Sequence, residues 1–414
     1  MPDKFDLSQT ALAFAMAAGR AENIWGDPGA ITDFFAKALG SGGSCSVIYS
    51  QSKPDDCVRP TPIQVTGFLR TVGPKLTSGF WQVAWGPGVF ADPLESPITT
   101  LANGIFVVFN HTNNAYIVAI SPTNFASLHY VVQNEDFDND PAHMVNTPVD
   151  LSHDEVQHAG KDTSRAQLTG GTGLGVYNLC TRIRDANGIG IAEFLTTALK
   201  TPATRLIFAG HSLGAALAPA LAYQLLDGLE AAGWNRQNIS VFATAGATPG
   251  NRLFVEDWAI KFPPRDVPNP DANNAFTRFN ILHWNKFDFV PYGFTNLHGH
   301  DDLDWNSNTP VLNSETVVCK IGTSVDAKNK TENNLALIAQ DRAQACALTK
   351  LPNTRFVGAF PVHYWEGGRQ ATYMAFPTAS MTNDAYMFAK GMAHMGQYLI
   401  AAGIDPWEIP PPLG

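Results

Sequence analysis

The amino-acid sequence predicts an α/β fold, with a central, mostly parallel sheet covered by helices on both faces. Three observations carry this reading. Apolar runs of strand length alternate with helical patterns between residues 176 and 284. Two further apolar runs, GIFVVFN and AYIVAIS, flank the tight turn HTNN. The run RLIFA passes through GHSLG directly into a helix rich in Ala and Leu.

In chain order, the first hundred residues combine a helical start, Leu7 to Arg20, with Gly- and Pro-rich loops. The two strands of GIFVVFN and AYIVAIS follow, and residues 134–172 are polar and acidic, mostly loop by pattern. A helix is expected over about Val176 to Ala198, a strand over Arg205 to Ala209, a helix over Ala215 to Leu229 and a strand over Ile239 to Ala245. RFNILHW, from Arg278, reads as the next strand. PPRDVPNPDANN (263–274) and HGHDDLDWNSNTP (298–310) are surface excursions by composition. We expect one domain over 1–414, with an N-terminal elaboration over 1–100 and an insertion over 292–380.

Composition excludes several function classes. A chain of 414 residues that is 45% hydrophobic can bury a large core. The net charge of −10 provides no basic footprint for nucleic acid. No apolar run reaches the length of a membrane span. The start, MPDKFDLSQTALAFAMAAGRAEN, does not read as a signal peptide, because Asp3 and Asp6 precede a poorly apolar stretch. Only 15% of residues are charged, which suits a secreted protein whose leader has been removed; a cytosolic chain is the alternative. Cysteine spacing shows no CxxC and no Cys/His pairing, so no metal is expected. Local loops suggest the disulfides Cys45–Cys57 and Cys319–Cys346 with Cys180 free, against the alternative of five reduced thiols.

The chemistry centres on Gly210-His211-Ser212-Leu213-Gly214, the one GxSxG of the chain. A strand that turns sharply into a helix strains the serine backbone, and the flanking glycines keep neighbouring side chains from colliding. The hydroxyl then projects beside the positive end of the following helix. Pro219 lies inside that helix and is expected to kink it or to cost about 3 kcal/mol. A serine nucleophile needs a histidine to take its proton and a carboxylate to orient that histidine. On this fold the order is serine, acid, histidine.

Asp288, just past an apolar run and before Val-Pro, sits where a strand should end at the carboxyl edge of the sheet. Asp266, Asp271, Asp301, Asp302 and Asp304 lie in polar loops and read as solvated, at best a weak cation site with His298 and His300. Two histidines follow Asp288 as candidate bases, His363 in PVHYWEGG and His394 in FAKGMAHMGQYLIAAG.

With these motifs in order, residues 100–403 resemble the class 3 (fungal-type) triacylglycerol lipases of the α/β-hydrolase superfamily. GHSLG is similar to that family's nucleophile turn, and FATAGATPGNRLF, from Phe242, is similar to its Phe-Gly-x-Pro-x-x-Gly-Asn segment. NKFDFVPYG resembles its Asp-x-Val-Pro segment, which implies Asp288 as the acid. Phe388, His394, Tyr398 and Gly403 repeat the spacing of a Phe, a Gln-His pair, a Tyr and a closing Gly, with Ala393 in place of the glutamine. The resemblance therefore implies His394 as the base and leaves His363 as runner-up.

It also implies an oxyanion hole. One donor is the residue after the nucleophile, Leu213. The other lies in the family's Arg-Gly-Ser/Thr motif, where this chain has Ser121, Pro122 and Thr123, so the implied donor is Thr123. NFASLHYVV, from Asn124, stands where relatives carry a lid, with Phe125, Leu128, Tyr130, Val131 and Val132 as its apolar side chains. A serine esterase acting on lipid esters through an acyl-enzyme follows, most simply a triacylglycerol lipase working at a lipid–water interface and needing no metal or organic cofactor. A phospholipase A1 and a short-chain or feruloyl-type esterase share that chemistry. A binding protein on a hydrolase scaffold is the non-enzymatic alternative, and a peptidase of the same superfamily a weaker one.

Overall fold

The computed structural model describes residues 4–50, 58–91, 98–124, 143–159, 164–285, 288, 290–292, 351–356, 360–361, 373–374, 392–409 and 413. Its sheet has ten strands: β1 (Ile24–Gly26), β2 (Gly42–Tyr49), β3 (Thr61–Thr66), β4 (Gln82–Ala91), β5 (Thr99–Asn110), β6 (Ala115–Ile120), β7 (Arg205–His211), β8 (Ile239–Thr244), β9 (Ile281–Asn285) and β10 (Asn353–Phe356). The order is β10-β9-β8-β7-β6-β5-β1-β2-β3, with β4 also on β5. Strands β6 to β10 run parallel. The N-terminal strands join them antiparallel, so the sheet is mixed and its parallel half carries the GHSLG turn.

Helices cover both faces, and the strand alternation shows why. On β7, Leu206 and Phe208 point into a core shared with α3 (Gly170–Tyr177), α4 (Ile191–Thr197), α5 (Leu213–Ala231) and α6 (Arg252–Lys261). Ile207 and Ala209 point the other way, into a core shared with α1 (Leu7–Ala17), α2 (Pro28–Leu39) and α7 (Gln397–Ala401). A strand buried on both faces reads as an unbroken apolar run, which is how RLIFA looks in the sequence.

Helix α1 matters to the site although it lies far from it in sequence. Asp6 and Gln9 form a capping box at its start. Asp6 Oδ2 also accepts the Asp271 N–H at 2.8 Å and the Asn274 Nδ2 at 2.7 Å. Gln9 Nε2 donates to the Ala402 carbonyl at 2.6 Å, fastening the end of α7.

Two local expectations change. The helix foreseen over Val176 to Ala198 is two helices, α3 and α4, separated by a π-helical turn (Asn178–Arg182) and a loop. The break is the Asp185–Gly188 turn, where Asp185 Oδ1 accepts the N–H groups of Asn187 and Ile189 and Gly188 adopts φ +78. RFNILHW divides at Asn280 (φ 61), whose side chain accepts the Val241 N–H and donates to the Pro263 carbonyl. Arg278–Phe279 then pairs with Arg265–Asp266, and only Ile281–Asn285 joins the main sheet.

The Cys45–Cys57 bridge is not formed. Cys45 is a free thiol buried on the inner face of β2, and Cys180 is also free, with burial pushing its thiol up to about 12. Cys57, Cys319 and Cys346 lie outside the described residues. Helix α5 continues through Pro219, whose carbonyl accepts the Trp258 indole N–H at 3.2 Å.

His283 on β9 is a buried neutral histidine. It lies against Phe276 and Phe242, and its Nε2 donates to the Arg278 carbonyl at 2.8 Å. Burial pushes its pKa down from 6.5 to about 4. Between those values the unfolded chain binds a proton that the folded chain refuses, so stability falls as the pH drops from 6.5 towards 4. The expected loss is roughly 3 kcal/mol from this residue. Unfolding midpoints measured across that range should fall less steeply for His283→Gln than for the parent; equal slopes would remove His283 from the account.

Candidate active site

The site grows out of the β7–α5 turn. Ser212 adopts φ 56 and ψ −125, a conformation a residue with a Cβ rarely takes. Neighbours on three sides hold it there. A Cβ at Gly210 would lie 2.0 Å from the Gly214 carbonyl oxygen, so the turn closes only around glycine. A Cβ at Gly214 would lie 2.5 Å from the Ile120 carbonyl oxygen, so β6 and the loop after it press against the same turn. The Ser212 N–H donates to the Thr244 carbonyl at the end of β8, at 3.0 Å.

Leu213 is the first residue of α5, and its N–H has no intrahelical acceptor. Thr123 follows β6 and is buried, in a loop tied down on both sides. Ser121 exchanges two hydrogen bonds with Gly104 of β5, N–H to carbonyl and Gly104 N–H to hydroxyl, both at 2.8 Å. Asn124 Nδ2 donates to Thr100 Oγ1 at 2.9 Å and to the Leu101 carbonyl at 2.7 Å, while its Oδ1 accepts the Asn23 N–H at 3.2 Å. Thr123 is fixed between these two anchors.

Asp288 lies three residues past β9 and is fully buried. Its Oδ1 accepts the Val290 N–H at 3.1 Å. Its Oδ2 accepts the Tyr398 hydroxyl at 2.7 Å and lies 2.9 Å from His394 Nδ1. The Tyr398 hydroxyl in turn accepts the Asn285 N–H at 2.9 Å, tying the acid, the end of β9 and α7 into one network.

His394 sits in a π-helical turn, Met392–Gly396, that leads into α7. Its Nε2 lies 2.9 Å from Ser212 Oγ, across 182 positions of sequence. At 16% exposure, against 0% for the Asp288 side chain, its ring occupies the open end of the network. His211 packs on it at 4.8 Å between ring centres, with its own Nδ1 2.9 Å from Thr244 Oγ1. Burial, and then the neighbouring His394, hold the His211 pKa well below the ordinary range. A neutral His211 leaves a positive charge on His394 without a like-charged neighbour.

The structure therefore brings Ser212, His394 and Asp288 together, with Leu213 and the Thr123 loop against the same turn. His363 lies outside the described residues, as do Phe125, Leu128, Tyr130, Val131 and Val132 of the lid expectation. Asp301, Asp302, Asp304, His298 and His300 lie outside them too. Asp266 is exposed and pairs with Arg278 at 3.3 Å. Among the described residues no group of His, Cys, Asp or Glu could hold a metal ion. Sequence reasoning missed the anchoring by Asn124 and the bond from Tyr398 to the acid; the four-residue step from His394 to Tyr398 was the one signal for the second.

Residues 146–292 match the model of the lipase (class 3) family, a span that includes Ser212 and Asp288 and ends before His394. Among solved structures, the M37 lipase superposes with a TM-score of 0.56 at 16% identity, over 98% of this chain and 96% of that one. At that identity the likeness is one of fold. The lipase from Rhizopus microsporus var. chinensis (TM-score 0.31, 18% identity, 54% of this chain and 58% of that) and an MDLA mutant from Penicillium cyclopium (0.32, 16%, 69% and 72%) add nothing to it. No curated protein matches. Fold and family match define the class: the chain has the α/β-hydrolase fold and is a carboxylic ester hydrolase. Within that class it resembles the class 3 lipases. No helix among the described residues is long and apolar enough to cross a membrane.

Proposed function

We propose that the protein hydrolyses lipid esters, triacylglycerols foremost, through an acyl-enzyme on Ser212. One observation carries this reading: His394 stands 2.9 Å from Ser212 Oγ and 2.9 Å from Asp288 Oδ2, through its two different ring nitrogens. With the Nδ1 proton donated to Asp288, Nε2 accepts the serine proton as Oγ attacks the ester carbonyl. The carbonyl electrons move onto oxygen, and the N–H groups of Leu213 and Thr123 stabilise that charge. His394 then protonates the leaving alcohol. Water, deprotonated by the same nitrogen, releases the fatty acid and restores Ser212.

Asp288 holds the imidazole in this tautomer and stabilises the imidazolium that forms in each half-reaction. Tyr398 and Val290 occupy its remaining acceptor sites, so the carboxylate keeps one orientation. The family match over 146–292 supports ester hydrolysis, and the low share of charged residues, 15%, supports action outside the cell. Turnover of tributyrin together with covalent capture of Ser212 by a fluorophosphonate tests the proposal. A folded protein that neither reacts with the fluorophosphonate nor hydrolyses tributyrin would leave the binding-protein alternative standing.

The Thr123 role predicts a remote effect. Asn124→Ala removes two donated hydrogen bonds and one accepted bond from a buried site. Loosening one of two oxyanion donors should lower kcat by about 10- to 100-fold with a smaller change in KM. Steady-state kinetics on a soluble ester read this directly, and an unchanged kcat in the folded variant would show that the loop holds without Asn124.

A further inference from the structure

Helix α1 and the turn after it bring a carboxyl group to the edge of the sheet where Ser212 lies. The chain leaves α1 through a short 3-10 turn, Ala18–Ala21, and reaches Glu22 against the loop that follows β6. The approach is close. A Cβ added at Gly19 would lie 2.4 Å from Glu22 Oε1 and 3.0 Å from Pro122 Cγ, so the carboxyl is folded back over Gly19 on the Pro122 side, one residue from Thr123. The backbone beside it is tied to the same loop, because the Asn23 N–H donates to Asn124 Oδ1 at 3.2 Å and Thr100 Oγ1 joins Asn124 to the Ile24 carbonyl.

The Glu22 side chain makes no hydrogen bond or ion pair with the described residues, in a fold that satisfies the capping carboxylates Asp6 and Asp27 at the starts of α1 and α2. By surface area Glu22 is only partly buried, yet its surroundings push its pKa from 4.5 up to about 8. Together these describe a partly exposed carboxyl beside the Thr123 loop, desolvated by the protein around it and without a partner among the described residues. An unpaired carboxyl in such a place is destabilising, and a ligand group that completes its hydrogen bonds removes that cost. A protonated carboxyl both donates and accepts, and so does a hydroxyl.

We propose that Glu22 is a substrate-binding residue whose carboxyl hydrogen-bonds a free hydroxyl of the ester, so that the enzyme favours hydroxylated esters such as monoacylglycerols. The inference rests on the ester hydrolase reading of the Ser212 site and adds a substrate preference to it. A site that pairs with a substrate hydroxyl discriminates against the analogue that lacks it.

Glycerol monooctanoate and propyl octanoate share one carbon skeleton and differ in the two hydroxyls. The ratio of their kcat/KM values should favour the monooctanoate by about tenfold in the parent, the size expected of one hydrogen bond to a partly exposed carboxyl. Glu22→Leu should bring the ratio close to one, and Glu22→Gln, whose amide still donates and accepts, should keep most of it. An unmoved ratio in folded Glu22→Leu overturns the proposal. If that variant does not fold, the parent decides: equal kcat/KM on the two esters overturns it as well. Fluorophosphonate capture of Ser212 in the same preparations reports the underlying reading separately, because failed capture sinks ester hydrolysis whereas an unmoved ratio sinks only the role of Glu22.

Discussion

Ser212→Ala is expected to leave the fold intact and to reduce ester turnover about 10⁴-fold or more. The size follows from the geometry: with Oγ gone, no other hydroxyl is described 2.9 Å from His394 Nε2, and the remaining groups can orient water only poorly. Folding is spared because alanine keeps the Cβ and the backbone bonds, including that from residue 212 to the Thr244 carbonyl. A companion variant separates chemistry from strain. Ser212→Gly should be as inactive, yet more stable by about 1 kcal/mol, because glycine takes φ 56 without steric cost. Activity on a soluble ester and thermal unfolding of the three proteins test both halves. Near-parental turnover in folded Ser212→Ala would withdraw the nucleophile assignment, and a less stable Ser212→Gly would withdraw the strain.

His394→Ala should be nearly as damaging, roughly 10⁴-fold in kcat, because serine, base and acid act as one unit. For the same reason the double variant Ser212→Ala/His394→Ala should be little worse than either single change. His363→Ala should alter KM or stability and leave most of kcat. The alternative outcome is equally definite: loss of activity with His363→Ala and survival with His394→Ala would transfer the base to His363. Kinetics on one soluble ester, with circular dichroism to check folding, distinguish the two.

Both predictions start from features legible in the order of the amino acids. GHSLG announces its turn because two glycines are needed at fixed distance from a strained serine, and Gly210 and Gly214 meet backbone atoms at 2.0 and 2.5 Å once a Cβ is added. Asp288 was legible because a carboxylate just past an apolar run and before Val-Pro marks a strand end. His394 could be ranked above His363 only through the spacing to Phe388 and Tyr398. That spacing has a physical content the sequence does not show, since the Tyr398 hydroxyl bridges Asp288 Oδ2 and the Asn285 N–H.

Local pattern alone determined the alternation of strands and helices, the position of the serine turn and the direction in which its partners had to be sought. Those are properties of short segments, set by side-chain size, backbone freedom and the two-residue and 3.6-residue periods of burial. The rest was decided by tertiary structure. The antiparallel half of the sheet depends on which N-terminal strands pair, and no single segment encodes that. The anchoring of the Thr123 loop by Asn124, the fastening of α7 by Gln9 and the placing of the Glu22 carboxyl beside Pro122 join residues far apart in the chain. The break between α3 and α4 and the division of RFNILHW at Asn280 turn on side-chain hydrogen bonds that compete with the helix and strand the pattern favoured. Such bonds have no periodicity along the chain, because their partners are chosen by packing in three dimensions.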